Sequence, residues 1–132
     1  MEKEEKKLFD AAMRAREHAY VPESGLKIGA AVLAENGVIY YGCNVENKSY
    51  SLTNCAERTA IFSAVASGAV RLFTLLVVAD TEEPIMPCGA CRQVIAEFGI
   101  KKIIAANTKG ETKSFTIEEL LPYAFVFDGS EA

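Results

Sequence analysis

The chain has 132 residues, 50% hydrophobic and 24% charged, a composition that fits one soluble globular domain spanning residues 1–132. Its 14 Lys and Arg against 18 Asp and Glu leave a net charge of -4, which speaks against a nucleic-acid partner. Apolar runs of strand length exclude a membrane span, and the charged start Met1–Lys7 lacks the apolar stretch of a signal peptide. Four cysteines in such a chain point to metal or catalysis rather than disulfides, so a cytoplasmic location is expected.

Apolar side chains at Leu8, Ala11, Ala12, Ala15 and Ala19 have helical spacing and predict an amphipathic first helix over 4–19. The one histidine, His18, lies near its end and reads as a solvated residue facing the helix dipole. Pro22 and Gly25 mark a loop over 20–25. An apolar strand over 26–34, a tight turn at Asn36-Gly37 and a returning strand over 38–45 make a hairpin. After a polar loop comes a helix over 56–66, apolar nearly all round and closed by Gly68. Such a helix is buried on more than one side, in part against another subunit. The continuous apolar run 72–79 predicts a central strand covered on both faces.

Pro84 and Pro87 bracket the next loop, followed by a helix over 89–98, a strand over 102–106 and a short edge strand over 111–115. Thr116-Ile117-Glu118-Glu119 matches a capping box and opens a last helix that stops before Pro122. The order of elements predicts an α/β fold, a three-layer α/β/α sandwich with a five-stranded mixed sheet.

The chemistry gathers at three cysteines. Cys88 and Cys91 sit three apart on the first turn of a helix, where both sulfurs can reach one ion. Cys55 opens its own helix. Three thiolates with an open fourth position form the pattern of a catalytic zinc site, whereas structural sites use four protein ligands. Glu57 does not share a face with Cys55, so it reads as a proton carrier reaching past the ion. Three thiolates around Zn²⁺ leave a formal charge of -1. Two helix N-termini and Arg58, three residues after Cys55, oppose that charge and help water acidify near neutral pH.

Each feature has a plainer reading. Cys88 and Cys91 could form a thioredoxin-like redox pair, Cys55 could be a buried thiol, and Glu57 and Arg58 an exposed pair. Four cysteines could also make a structural zinc site with Cys43 as fourth ligand, although its apolar strand suggests a core thiol. The zinc reading accounts for all the features at once. Asn44 and Glu46 alternate near a strand end and project to one side, as suits two sugar hydroxyls or a solvated strand end.

Gly42-Cys43-Asn44-Val45-Glu46-Asn47, Cys55-Ala56-Glu57-Arg58-Thr59-Ala60, Pro87-Cys88-Gly89-Ala90-Cys91-Arg92-Gln93 and Glu119-Leu120-Leu121-Pro122 together resemble the small homotetrameric cytidine deaminases. The resemblance implies one Zn²⁺ per chain on Cys55, Cys88 and Cys91. It implies that Glu57 shuttles protons as hydroxide attacks C4 of cytosine and ammonia leaves. It also implies that Asn44 and Glu46 hold the ribose, that Leu26 and Ala56 contact the nucleoside, and that Arg58 tempers the thiolate charge. Phe125 would complete a neighbouring subunit's site. The substrates implied are cytidine and 2'-deoxycytidine, in pyrimidine salvage.

The chain departs from the family pattern at Leu26, where an aromatic is usual, and at Glu23, where Tyr is usual. Its ending Phe125-Val126-Phe127-Asp128-Gly129 is similar to the tail of blasticidin S deaminases. The alternative substrate is therefore a modified cytosine nucleoside, such as blasticidin S or an N4-substituted cytidine.

Overall fold

The computed structural model describes residues 1–126; Phe127, Asp128 and Gly129 of the tail lie outside the described residues. The run Leu72–Ala79 forms β3 and is buried except at Phe73, because helices cover both of its faces. Around it lie β1 (Ile28–Ala34), β2 (Ile39–Cys43), β4 (Lys102–Asn107) and β5 (Thr112–Thr116) in the order β2-β1-β3-β4-β5. β1 pairs antiparallel with both β2 and β3. β3 and β4 are parallel, and β5 returns antiparallel along β4. The helices are α1 (Lys3–Arg16), α2 (Ala56–Ala66), α3 (Gly89–Glu97) and α4 (Ile117–Leu120).

Successive residues of a strand face opposite ways, and this alternation sorts the core into two layers. Ala31, Leu76, Val78, Ile104 and Ala106 pack under Leu8, Ala11 and Ala12 of α1. Ala30, Val32, Leu75, Val77 and Ile103 pack under Ala60, Ile61 and Ala64 of α2, with Ile95 of α3 beside them. The expected α/β/α sandwich with a five-stranded mixed sheet is the observed architecture.

Two glycines let the helices approach the sheet. A Cβ on Gly29 would stand 2.0 Å from the Ala12 carbonyl oxygen of α1, and one on Gly42 would stand 2.5 Å from the Ala60 nitrogen of α2. Neither contact can be relieved by turning a side chain, because both partners are backbone atoms. The capping box is present, with Thr116 Oγ1 accepting from Glu119 N and Glu119 Oε1 accepting from Thr116 N. α2 buries Ala56, Glu57, Ala60, Ile61 and Ala64 within the chain and leaves Phe62 on the surface.

Three boundaries move for one reason. α1 ends at Arg16 rather than 19, β1 begins at Ile28 rather than 26, and β2 ends at Cys43 rather than 45. The backbone between them pairs elsewhere: Tyr20 N donates to the Asn44 carbonyl at 3.0 Å, and Glu46 N donates to the Tyr20 carbonyl at 2.9 Å. Val45 and Asn54 then exchange backbone bonds of 3.0 and 2.9 Å. This second bridge joins the end of β2 to the residue before Cys55. No helix of the described residues is long and apolar enough to cross a membrane.

Candidate metal centre and active site

A parallel β3–β4 pair requires a crossover, and α3 supplies it, starting beyond the carboxyl end of β3. Cys88 is the N-cap residue of α3 and Cys55 the N-cap residue of α2; both have extended backbones and neither side chain caps its helix. Their sulfurs are turned toward each other instead, 3.8 Å apart. Cys91, one turn into α3, completes the group, and all three sulfurs lie within 4.8 Å of one another. Tetrahedral zinc with Zn–S of about 2.3 Å sets its sulfurs about 3.8 Å apart. The donor set and its spacing fit that ion.

Burial grades across the cluster. Cys91 is buried, Cys55 half-buried and Cys88 exposed, so one side faces solvent. Cys43 lies outside the cluster among the described residues, and burial raises its thiol above the ordinary value. A four-cysteine structural site is therefore not assembled. The redox-pair reading fits poorly too, because Cys88 and Cys91 share their group with a third sulfur from another helix.

Charge at the cluster is set by neighbouring donors. The Cys55 thiol is held down to about 5, first by a hydrogen bond from Cys91, against the opposing effect of burial, and then by Arg58. Arg58 Nη2 donates to Cys55 Sγ at 3.2 Å, and that bond raises the guanidinium pKa further. Cys91 is pushed up, by its bond to Cys55 and then by burial. One thiolate in this group thus raises the cost of the next, and a bound cation relieves that repulsion by displacing the remaining protons.

Glu57 is 4% exposed at the start of α2. Burial pushes its carboxyl up to about 7; its own backbone N–H opposes, the Cys55 charge adds and Arg58 opposes. A carboxyl in that range can both accept and return a proton near neutral pH.

A second group lies beside the first, across the Val45–Asn54 bridge. Asn44 is buried; its Oδ1 accepts from Ile28 N and its Nδ2 donates to the Leu26 carbonyl, both at 2.9 Å. Glu46 Oε1 accepts from Glu23 N at 2.9 Å and Ser24 N at 3.1 Å, and Oε2 accepts from the Ser24 hydroxyl. Leu26 is half-buried in the segment these two side chains hold. Ala56 is fully buried between Cys55 and Glu57. Phe125 is 72% exposed, and its carbonyl accepts from Gln93 Nε2 of α3 at 3.2 Å. It stands outside both groups.

Sequence reasoning missed several supporting residues. Thr59 Oγ1 accepts from Asn54 Nδ2 and donates to the Cys55 carbonyl, tying the ligand to the loop before it. Arg92 Nε donates to the Pro87 carbonyl and Nη1 to the Leu120 carbonyl, both at 2.9 Å, bracing the approach to Cys88 against α4. Asn107 is fully buried at the end of β4, and its Nδ2 donates to the Glu82 carbonyl in the same loop. Arg92 and Thr59 carried a signal, Arg92 standing directly after Cys91 and Thr59 four residues after Cys55.

The profile of the cytidine and deoxycytidylate deaminase zinc-binding region matches residues 2–107. The chain belongs to this family. A cytidine deaminase of Sporosarcina psychrophila is 56% identical over 121 residues, covering 90% of this chain and 89% of that protein. One from Halalkalibacterium halodurans is 49% identical over 120 residues, covering 89% and 91%. The crystal structure of cytidine deaminase from Burkholderia pseudomallei superposes with a TM-score of 0.88 at 46% identity, over 95% of this chain and all of that one. As in the family as a whole, the ion expected here is zinc, and Cys55, Cys88 and Cys91 form the group able to hold it.

Proposed function

We propose that this chain catalyses the hydrolytic deamination of cytidine and 2'-deoxycytidine to uridine and 2'-deoxyuridine, releasing ammonia. One observation carries the reading: a buried carboxyl, Glu57, two residues from a three-thiol group spaced for a single ion and facing solvent on one side. When bound by Cys55, Cys88 and Cys91, zinc supplies a Lewis acid with an open fourth position that makes water a stronger acid. Glu57 takes the proton of the attacking water and delivers protons to the base and its amino group. The water oxygen bonds to C4, the bond from C4 to the exocyclic nitrogen breaks, and ammonia departs. Arg58 draws charge from Cys55 so that three thiolates do not cancel the ion's acidity.

In this reading Ala56 and Leu26 contact the base, and Asn44 and Glu46 meet the sugar hydroxyls. Phe125 closes the site of a neighbouring chain in a homotetramer, which its exposure and that of Phe62 on α2 support. The 132 residues act as one domain, and the role is pyrimidine salvage in the cytoplasm without nucleic-acid or membrane partners. A preparation carrying one zinc per chain should deplete cytidine absorbance and release ammonia; unchanged absorbance would sink the reading.

Leu26 and Glu23 favour a second reading within the same chemistry, deamination of a modified cytosine nucleoside. Relative rates on cytidine, 2'-deoxycytidine, cytosine and blasticidin S separate the two. Binding to oligonucleotides at low salt would count against both.

A further inference from the structure

We infer that Ser24 is a positioning residue that couples the base side of the site to its sugar side. The inference rests on the deaminase reading above, in which Leu26 meets the base and Glu46 the sugar.

The direction of its hydrogen bonds is fixed by chemistry. Leu26 N can only donate, so Ser24 Oγ accepts from it at 3.0 Å. The hydroxyl's own proton is then free for Glu46 Oε2, which as part of a carboxylate can only accept. The relay runs one way, from the Leu26 amide through the Ser24 hydroxyl to the Glu46 carboxylate. Polarisation along such a chain strengthens each bond in it.

The same bonds decide which part of Glu46 remains for a ligand. A carboxylate offers about four acceptor positions, two on each oxygen. Oε1 already receives two backbone donors, Glu23 N and Ser24 N. Oε2 receives the Ser24 hydroxyl, which leaves a position on that oxygen for a sugar hydroxyl. Ser24 therefore sets the rotation of the carboxylate about its own axis and the direction in which its free lone pair points. Because Leu26 hangs from the same hydroxyl, a shift at one end moves the other. Asn44 fastens the far side of the segment through the Leu26 carbonyl and Ile28 N, so Ser24 is the adjustable end.

The test compares cytidine with 2',3'-dideoxycytidine, which keeps the base and lacks both ring hydroxyls. With Ser24→Ala, KM for cytidine should rise about ten-fold with kcat little changed, the size expected for one hydrogen bond to a charged group. kcat/KM for 2',3'-dideoxycytidine should fall by a clearly smaller factor, the part that reaches the base through Leu26. Ser24→Thr, which keeps the hydroxyl, should restore cytidine binding. Ser24 is exposed, so removing its hydroxyl opens no cavity in the core.

An equal loss on both nucleosides would assign Ser24 to loop structure and overturn the inference, as would an unchanged KM for cytidine. Wild-type enzyme with one zinc per chain and no turnover of cytidine would overturn the activity reading, and the Ser24 assignment with it. An active wild type with a uniformly impaired Ser24→Ala overturns the assignment alone.

Discussion

The two faces of the sheet bury similar aliphatic residues under helices, yet α1 on one side and α2 and α3 on the other differ in how they run. Lys102 Nζ at the start of β4 bonds Glu5 at the start of α1, and Arg16 at the end of α1 bonds the Lys27 carbonyl just before β1. β1 is antiparallel to β3, so its start lies at the carboxyl end of β3. α1 therefore brings its carboxyl end toward the thiol side of the sheet. α2 and α3 bring their amino ends there, with Cys55 and Cys88 at the first positions. The amino end of a helix carries roughly half a positive charge and favours thiolates, while the carboxyl end carries the opposite. Packing is interchangeable between the faces; polarity is not.

The contrast can be broken from either side. The largest effect is expected at Cys91: replacing it with Ala should abolish zinc retention and turnover together, read by metal analysis alongside an activity assay. Native metal content in that variant would place the ion elsewhere. Next comes Glu57→Gln, which should lower kcat about 10²–10⁴-fold while zinc content and thermal midpoint stay at wild-type values. Near-native turnover would remove Glu57 from its role.

The other face should respond in reverse. Leu8→Ala, at a fully buried position on the sheet-facing side of α1, should cost about 2–5 kcal/mol in denaturant unfolding while kcat per folded, zinc-loaded chain stays unchanged. Gly29→Ala should also destabilise, by about 1–3 kcal/mol, because its Cβ forces α1 away from the sheet. A loss of kcat with stability intact in either variant would dissolve the distinction between the faces.

The smallest effect concerns Glu46. The Ser24 hydroxyl, joined by the Ser24 and Glu23 amides, holds its carboxyl below the ordinary value. A carboxylate lowered on folding contributes stability that is full above its unfolded pKa and lost as pH falls through the folded one. Amide exchange at Glu23 and Ser24 should therefore lose protection, relative to Glu46→Gln, only on the acid side of the ordinary carboxylate range. A difference from Glu46→Gln that does not vary with pH would detach the loop from that carboxylate.

What the sequence revealed follows from distance along the chain. The Thr116 capping box, the Asn36-Gly37 turn and the Cys88–Cys91 pair act within a few residues, and their geometry is set locally. The central place of β3 was legible because an unbroken apolar run is also a local property. Asn44 is the opposite case. An amide near a strand end suits a sugar hydroxyl, but one acceptor position of its Oδ1 and one N–H of its Nδ2 also serve Ile28 and Leu26, sixteen and eighteen residues away. Nothing near Asn44 marks those partners. The Tyr20 and Asn54 bridges escaped for the same reason, and with them the true ends of α1, β1 and β2. Arg92 and Asn107 hold the approach to Cys88 through backbone carbonyls, which any residue could have supplied.

Cys55 and Cys88 stand where a helix ordinarily keeps a Ser, Thr, Asp or Asn to bond its free amides, and neither sulfur makes such a bond. That has a consequence for anyone wishing to move this centre into another scaffold. Three cysteines at matching distances are only part of the graft. The recipient must also offer two helix beginnings that meet head to head, each willing to leave its cap position to a sulfur, and a glycine such as Gly42 to let the first of them lie close against a strand. The transferable unit is a junction of backbones, with the ligands as its visible mark.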